Sequence, residues 1–437
     1  MICMYLLLAS TLSGTAPVML ETVDIAPVWS GHPVGFCLYT HKDIQLAAFY
    51  DADRNMTVAK RALESKDWQM VRLPEQVKWD SHNSIVMTVD DKDHIHLSGN
   101  MHVNPLVYFR TKEPLDIATF ERLPMVGDRE DRVTYPKFIR GAGGELLFCY
   151  RDGSSGNGEE LYNIYDPESR QWRRFLDTPL TSGEGERNAY IIGPVKGPGN
   201  RFHICWVWRL TYECETNHHL CYAASDDLRK WYSGTGAPLT RPITFSAADT
   251  IVDPVPMNGG IINGNTRLGF DSLKRPVVSY HKFDQKGNTQ IYNARLEEGR
   301  WAIYQASDWD YRWEFSGGGT IIFEIGLSGV SPHGEGTLRQ TYTHKKYGSG
   351  AWLLDEKDLR VLSPLKLPPA YPPELGKVES TFEDMAIRRA SDSGTSGESG
   401  VRYFLQWETL PQNRDKPRKG APPPPSLLRV VKMKGAE

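Results

Sequence analysis

Long apolar runs are missing from this chain, and so are blocks of like charge. No stretch approaches the roughly 20 consecutive apolar residues that a membrane-spanning helix needs, so no membrane partner is expected. Lys and Arg number 51 against 54 Asp and Glu, interspersed, for a net charge of −3. Phosphate binding needs a clustered basic face, so no nucleic acid partner is expected either. Cysteine is scarce, with six in 437 residues. The start, "MICMYLLLASTLSGTAPVML", joins a short apolar run to small residues, as a secretory leader does, but without a basic opening. We read residues 1–20 as a leader and the protein as secreted. Its removal takes Cys3 and leaves Cys37, Cys149, Cys205, Cys214 and Cys221, an odd set that is no disulfide framework.

Helical periodicity is equally scarce. In its place stand short runs of Val, Ile, Tyr, Phe and Trp between Gly, Asp, Asn and Pro turns, which read as strands. Two elements recur. One is a Gly- or Asp-rich turn followed by a strand: "VDDKDHIHLSGN", "GAGGELLFCYRDG", "GPGNRFHICWVWR", "DSLKRPVVSYHKFD", "GEGTLRQTYTHK" and "GESGVRYFLQWE". The other is an aromatic just past a polar turn: Trp68, Phe120, Trp172, Trp231, Trp301, Trp352 and Trp407. Successive members lie 51 to 70 residues apart, about the length of four strands and their turns. The expectation is an all-β, seven-bladed β-propeller over residues 21–437, without a second domain. The run "APPPPSLLRVVKMK" places its prolines in a surface loop before a last strand.

In such a fold the ends of inner strands from distant parts of the chain meet at one funnel. The polar segments there supply His82 in "WDSHNS", His102 in "GNMHVN", Tyr135 in "TYPKF", Arg151 in "LLFCYRDG", Arg187, Asn188 and Tyr190 in "GERNAYIIG", and Arg209 in "WVWRLTYE". Two convergent carboxylates for a common glycosidase are not apparent, nor is a serine in a strained elbow. Histidines, tyrosines and arginines instead suit β-elimination beside a uronate. A guanidinium can neutralise the carboxylate, and His and Tyr can move the two protons. Tyrosine serves as a base only if a cation lowers its pKa, a role open to Arg151. Tyr135, preceding Pro136, is expected on an extended segment.

Together, "SHNSIV…HIHLSGNMH", "TYPKF", "LLFCYRDGSSGNG", "RNAYI" and "HICWVWRLTYECETNHHLCYA" resemble the BNR-type seven-bladed propeller lyases. These comprise the ulvan lyases and the L-rhamnose-α-1,4-D-glucuronate lyases that act on gum arabic. The motifs cover about residues 80 to 225. The resemblance implies that His82, His102, Tyr135, Arg151 and Tyr190 are catalytic; Arg187, Asn188 and Arg209, from the same polar segments, are expected at the substrate. It also implies an acidic, uronate-containing polysaccharide as partner and no redox cofactor; a monomer is expected. Alternatives are an α-L-rhamnosidase-type hydrolase and a non-catalytic carbohydrate-binding propeller. The spacing His203-x-Cys205 and, across a turn, His219-x-Cys221 would give a tetrahedral structural zinc set if the segments paired face to face. His218 is a substitute for His219, and the resemblance to ulvan lyases supports such a zinc. Calcium is the weaker expectation, since no acidic loop has the needed spacing.

Overall fold

The computed structural model describes residues 16–435, so most of the expected leader lies outside the described residues. Val18–Leu20 already belong to a strand, Val18–Val28, and a boundary at residue 20 would cut it. The strands form seven antiparallel sheets of four to six strands. In chain order their second strands are Ile44–Tyr50, Ile95–Gly99, Leu146–Ser154, Phe202–Arg209, Pro276–Phe283, Thr337–His344 and Val401–Thr409. Six of these are the recurring turn-and-strand units of the sequence. The seventh sheet takes Ala386–Ser391, Val401–Thr409 and Ser426–Lys434 from the C-terminal end of the chain and Val18–Val28 from the beginning.

Most of these second strands are sandwiched; Thr337–His344 alternates buried and partly exposed positions over its first half. Ile44–Tyr50 and Phe202–Arg209 are buried at every position, because their sheets are packed on both faces. Leu147 and Cys149 of the third sheet thus meet Ile204 and Trp206 of the fourth, whose other face puts Cys205 and Val207 against Val278 and Tyr280 of the fifth. Each fully buried aliphatic side chain of this kind stabilises the fold by about 1.5–3 kcal/mol. Some buried polar residues find partners across the sheets. Asn293 and Gln340 exchange hydrogen bonds at 2.9 and 3.0 Å.

The aromatic marker is less regular than its spacing implies. Trp68, Phe120, Trp172, Trp231 and Trp301 stand in or just before the fourth strand of their sheets. Trp352 belongs to a third strand, Gly348–Asp355, and Trp407 to a second. Trp352 stacks on Tyr342 of the second strand at 4.4 Å, and Trp407 on Phe36, just before the first strand of the neighbouring sheet, at 4.6 Å.

Candidate functional site

Links between successive sheets converge on a cavity of about 580 Å³ lined by His82, His102, Tyr135, Tyr190 and Arg209. His82 sits in the turn before the second sheet. Its backbone N–H donates to Asp80 Oδ1 at 2.9 Å, the self-bonding turn that Asp favours, and its ring Nδ1 lies 2.7 Å from the same oxygen. His102 opens the short strand His102–Asn104, which leaves the second sheet and pairs with Val133–Arg140 of the third. Its Nδ1 lies 2.6 Å from Asp80 Oδ2. The two imidazoles stack with centroids 4.0 Å apart and planes 20° from parallel.

Asp80 therefore bridges both rings. Burial alone would raise its pKa, but hydrogen bonds and charge from His102 and His82 hold it well below the usual carboxylate range. An ionised carboxylate only accepts, so both Nδ1 atoms carry their protons toward Asp80. Each Nε2, on the far side of its ring, is left as the basic atom. A second carboxylate, Asp415, reaches in from the proline-rich loop of the seventh sheet. It accepts from Ser81 N and Oγ (3.0 and 2.7 Å) and from Thr320 N and Oγ1 (2.8 and 2.9 Å), and lies 3.6 Å from His82 Nδ1. Buried His32 approaches it at 3.5 Å.

Tyr135 lies on a bulge. Thr134 pairs with Arg151 and Lys137 with Cys149, which leaves one extra residue on the Tyr135 side. Pro136 offers no N–H to the ladder, and Tyr135 takes a φ of +57°, a region that a bulky residue seldom occupies. The extended conformation expected from the following proline is not adopted; the bulge turns the ring into the cavity instead. The Tyr135 ring lies 5.8 Å from His82 and 6.1 Å from Tyr190, centroid to centroid. Burial drives its phenol well above the ordinary tyrosine value, Tyr190 adds to this, and Arg151 and Arg209 oppose it without reversing it. The expectation that Arg151 lowers this pKa enough to make a base is therefore corrected: the hydroxyl is held protonated.

Arg151 is buried behind Tyr135, its guanidinium carbon 4.8 Å from that ring and 5.8 Å from Tyr190. Nε donates to Gly153 O at 3.2 Å and Nη2 to Thr134 Oγ1 at 3.1 Å, while Nη1 is buried without a partner among the described residues. It forms no ion pair there, so its charge acts on the cavity through the tyrosines. Asn188 is its neighbour: a Cβ on Gly158 would fall 2.1 Å from Asn188 Oδ1 and 3.0 Å from Arg151 Cδ, so only glycine leaves room for both. Arg209 is the arginine that reaches the cavity wall, with its guanidinium 5.5 Å from the Tyr190 ring. Tyr190 donates to Ser155 Oγ at 3.0 Å. Arg187 points elsewhere, 4.2 Å over Phe245 and beside Glu186.

The zinc set does not assemble. Cys221 pairs with Trp206 and Cys205 with Tyr222, so the two cysteines face opposite sides of one sheet. Cys221 enters the core shared with the third sheet and Cys205 that shared with the fifth. His203 Nδ1 bonds Tyr222 OH at 2.6 Å, and His219 Nδ1 meets His218 Nδ1 at 2.8 Å. The spacing reading assumed a register one residue away from this one, and neither histidine option repairs it. Among the described residues, three ligand-type atoms within 4.8 Å of one another occur at Asp80, His82 and His102. A metal there would displace both Nδ1 hydrogen bonds to Asp80.

Asp80 and Asp415 were not singled out in the sequence. Asp80 was within reach as the residue two before His82 in a turn; Asp415 gave no local signal, being 333 residues from His82 in the chain.

Comparison with known proteins adds the following. Residues 44–309 match a family described as BNR repeat-containing family member. An ulvan lyase, long isoform, of Alteromonas sp. is 28% identical over 149 residues, which is 31% of this chain and 15% of that protein. Its counterpart in Glaciecola sp. (strain KUL10) is 38% identical over the same shares. The chain thus aligns with under a sixth of the length of these long isoforms. The crystal structure of polysaccharide lyase Uly1 superimposes with a TM-score of 0.60 at 14% identity, covering 95% of this chain and 99% of that one. An ulvan lyase bound to -[GlcA(1-4)Rha3S]- superimposes with a TM-score of 0.59 at 14% identity, covering 94% and 95%.

Proposed function

The chain belongs to the BNR repeat-containing family, and from that premise we propose a seven-bladed β-propeller that acts as a polysaccharide lyase, cleaving a 4-linked glucuronate bond by β-elimination. The blade count rests on seven sheets, the last completed by both ends of the chain. The observation that carries the chemistry is the stacked His82–His102 pair, bridged by Asp80 and facing a protonated Tyr135. The elimination needs a base for the C5 proton, an acid for the leaving O4 and positive charge near the carboxylate. An Nε2 of the histidine pair takes the proton from C5. The C5–H electrons form the C4=C5 double bond, the C4–O4 bond breaks, and Tyr135 gives its proton to O4. Arg209, at the cavity wall, contacts the uronate carboxylate, and buried Arg151 adds its field in a low-dielectric setting where charge acts strongly.

The polymer is one with rhamnosyl–glucuronate linkages, either gum arabic and arabinogalactan side chains or ulvan. The ulvan lyase names of the relatives support that class. The apolar run within residues 1–20 supports secretion, which access to such a polymer requires. Mass spectrometry and NMR of the products test the reading. β-Elimination leaves an unsaturated uronate one water lighter than a hydrolysis product, with an olefinic proton at C4. Saturated uronate ends would refute it.

A further inference from the structure

Among the described residues fifteen large hydrophobic side chains stand exposed, and three of them gather on two loops at the cavity: Tyr212 is 68% exposed, Ile322 57% and Phe323 39%. Tyr212 and Phe323 line the same cavity as His82, His102 and Tyr135. Leaving aromatic faces in water forgoes the free energy of burying them, and a held, exposed apolar patch at a cavity mouth marks a binding surface. Both rings are held. Arg209 donates through Nε to Thr211 O at 3.0 Å and through Nη2 to Tyr212 O, clamping the loop that carries the tyrosine. The Tyr212 ring rests on Gly318, where a Cβ would lie 2.8 Å from Cδ2, so only glycine admits the ring. Arg414 in turn fixes that glycine loop, donating from Nη1 to Ser316 O at 2.8 Å and to Gly318 O at 3.0 Å. Phe323 packs on Trp313 at 5.5 Å and lies over Gly264, where a Cβ would be 3.7 Å from Cζ.

We propose that Tyr212 and Phe323 form an aromatic platform that binds the apolar face of the pyranose flanking the uronate in the polymer. The inference rests on the lyase reading for the identity of its occupant. An aromatic face carries partial negative charge, which meets the outward C–H bonds of a pyranose. A 6-deoxy sugar adds a methyl group to that apolar face. The cavity, at about 580 Å³, is of a size that holds ligands larger than one sugar ring. The uronate occupies the end with the histidines and Arg209, and the next sugar lies on the platform.

The test uses the full chain and its Tyr212→Ala, Tyr212→Phe and Phe323→Ala variants on gum arabic and ulvan. With whichever polymer is cleaved, Tyr212→Ala and Phe323→Ala each raise KM by about tenfold, the size expected from one lost aromatic contact, with kcat held within about twofold. Tyr212→Phe keeps the native KM. Unchanged KM in both alanine variants, or an equal fall of kcat, overturns the platform. Affinity electrophoresis through gels containing each polymer, run on a Tyr135→Phe background, reads binding without turnover. Retardation that is lost with Tyr212→Ala sustains the platform even if neither polymer is cleaved, in which case the lyase reading alone fails. Retardation that survives Tyr212→Ala, or none in the Tyr135→Phe parent, overturns it.

Discussion

Asp80 is the residue on which the candidate chemistry turns. One carboxylate fixes the tautomer and tilt of two histidines, so its loss disorders both. Asp80→Asn should lower turnover by about 10²-fold or more, the range of a lost acid–base arrangement, while circular dichroism stays native. Tyr135→Phe removes the proton donor without changing ring packing and should lose about 10²–10⁴-fold in kcat, with KM little changed. The Asp80 pKa also has a consequence for stability. Its folded value is held below the unfolded value of about 3.9, so its contribution is fully present above that pH and fades as pH falls through the folded value. Denaturant titrations should therefore show a parent-to-Asp80→Asn difference that shrinks as pH falls below about 4. A difference that grows with acidity would contradict this. The histidines, Tyr135, Tyr190 and Arg209 were legible because each is chemically apt and sits in a polar segment at or near a strand end. Asp80 escaped because an aspartate in a turn has an ordinary reason to be there.

At the level of the element, the proline-rich loop between Val401–Thr409 and Ser426–Lys434 is a strap whose tip reaches the site. Arg414 and Asp415 both take positive φ, +62° and +56°, a conformation that non-glycine residues rarely hold twice in succession. The hydrogen bonds from Ser81 and Thr320 hold the tip there. Asp415→Ala leaves those donors without their acceptor and should destabilise the protein by about 1–3 kcal/mol, read from urea unfolding. It should also lower kcat more than it raises KM, because the His82 turn loses its anchor. Native kcat in a folded Asp415→Ala protein would remove it from the site's support. The turn-and-strand repeat was readable as strand because aspartate turns and β-branched runs are local signals. Register was not readable: His203, Cys205, His219 and Cys221 fit a zinc set in one alignment of two strands and lie on opposite faces in the alignment adopted. A shift of one residue reverses every side chain. The bulge at Tyr135 was hidden for a related reason, since Pro136 breaks the ladder as readily as it extends the chain.

Across the whole molecule, the two ends of the chain are joined in one sheet. Ser426–Lys434 lies between Val401–Thr409 and Val18–Val28 and pairs with both. Ending the chain at residue 425 would strip both neighbours of their partner and open the apolar face that Leu428 and Val430 close. Such a truncation should fail to give a cooperative thermal transition. The all-β architecture followed from the missing helical periodicity and the even spacing of the repeats. The convergence of His82, Tyr135 and Arg209 followed from the propeller expectation; the arrival of Asp80 and Asp415 beside them did not, because it depends on how the sheets are disposed in space. Ultraviolet absorbance during incubation with gum arabic and, separately, ulvan tests the central claim most directly, because elimination creates a conjugated uronate and hydrolysis does not. The account predicts a rise with at least one polymer that Asp80→Asn and Tyr135→Phe slow by about 10²-fold or more; new reducing ends without absorbance would contradict it.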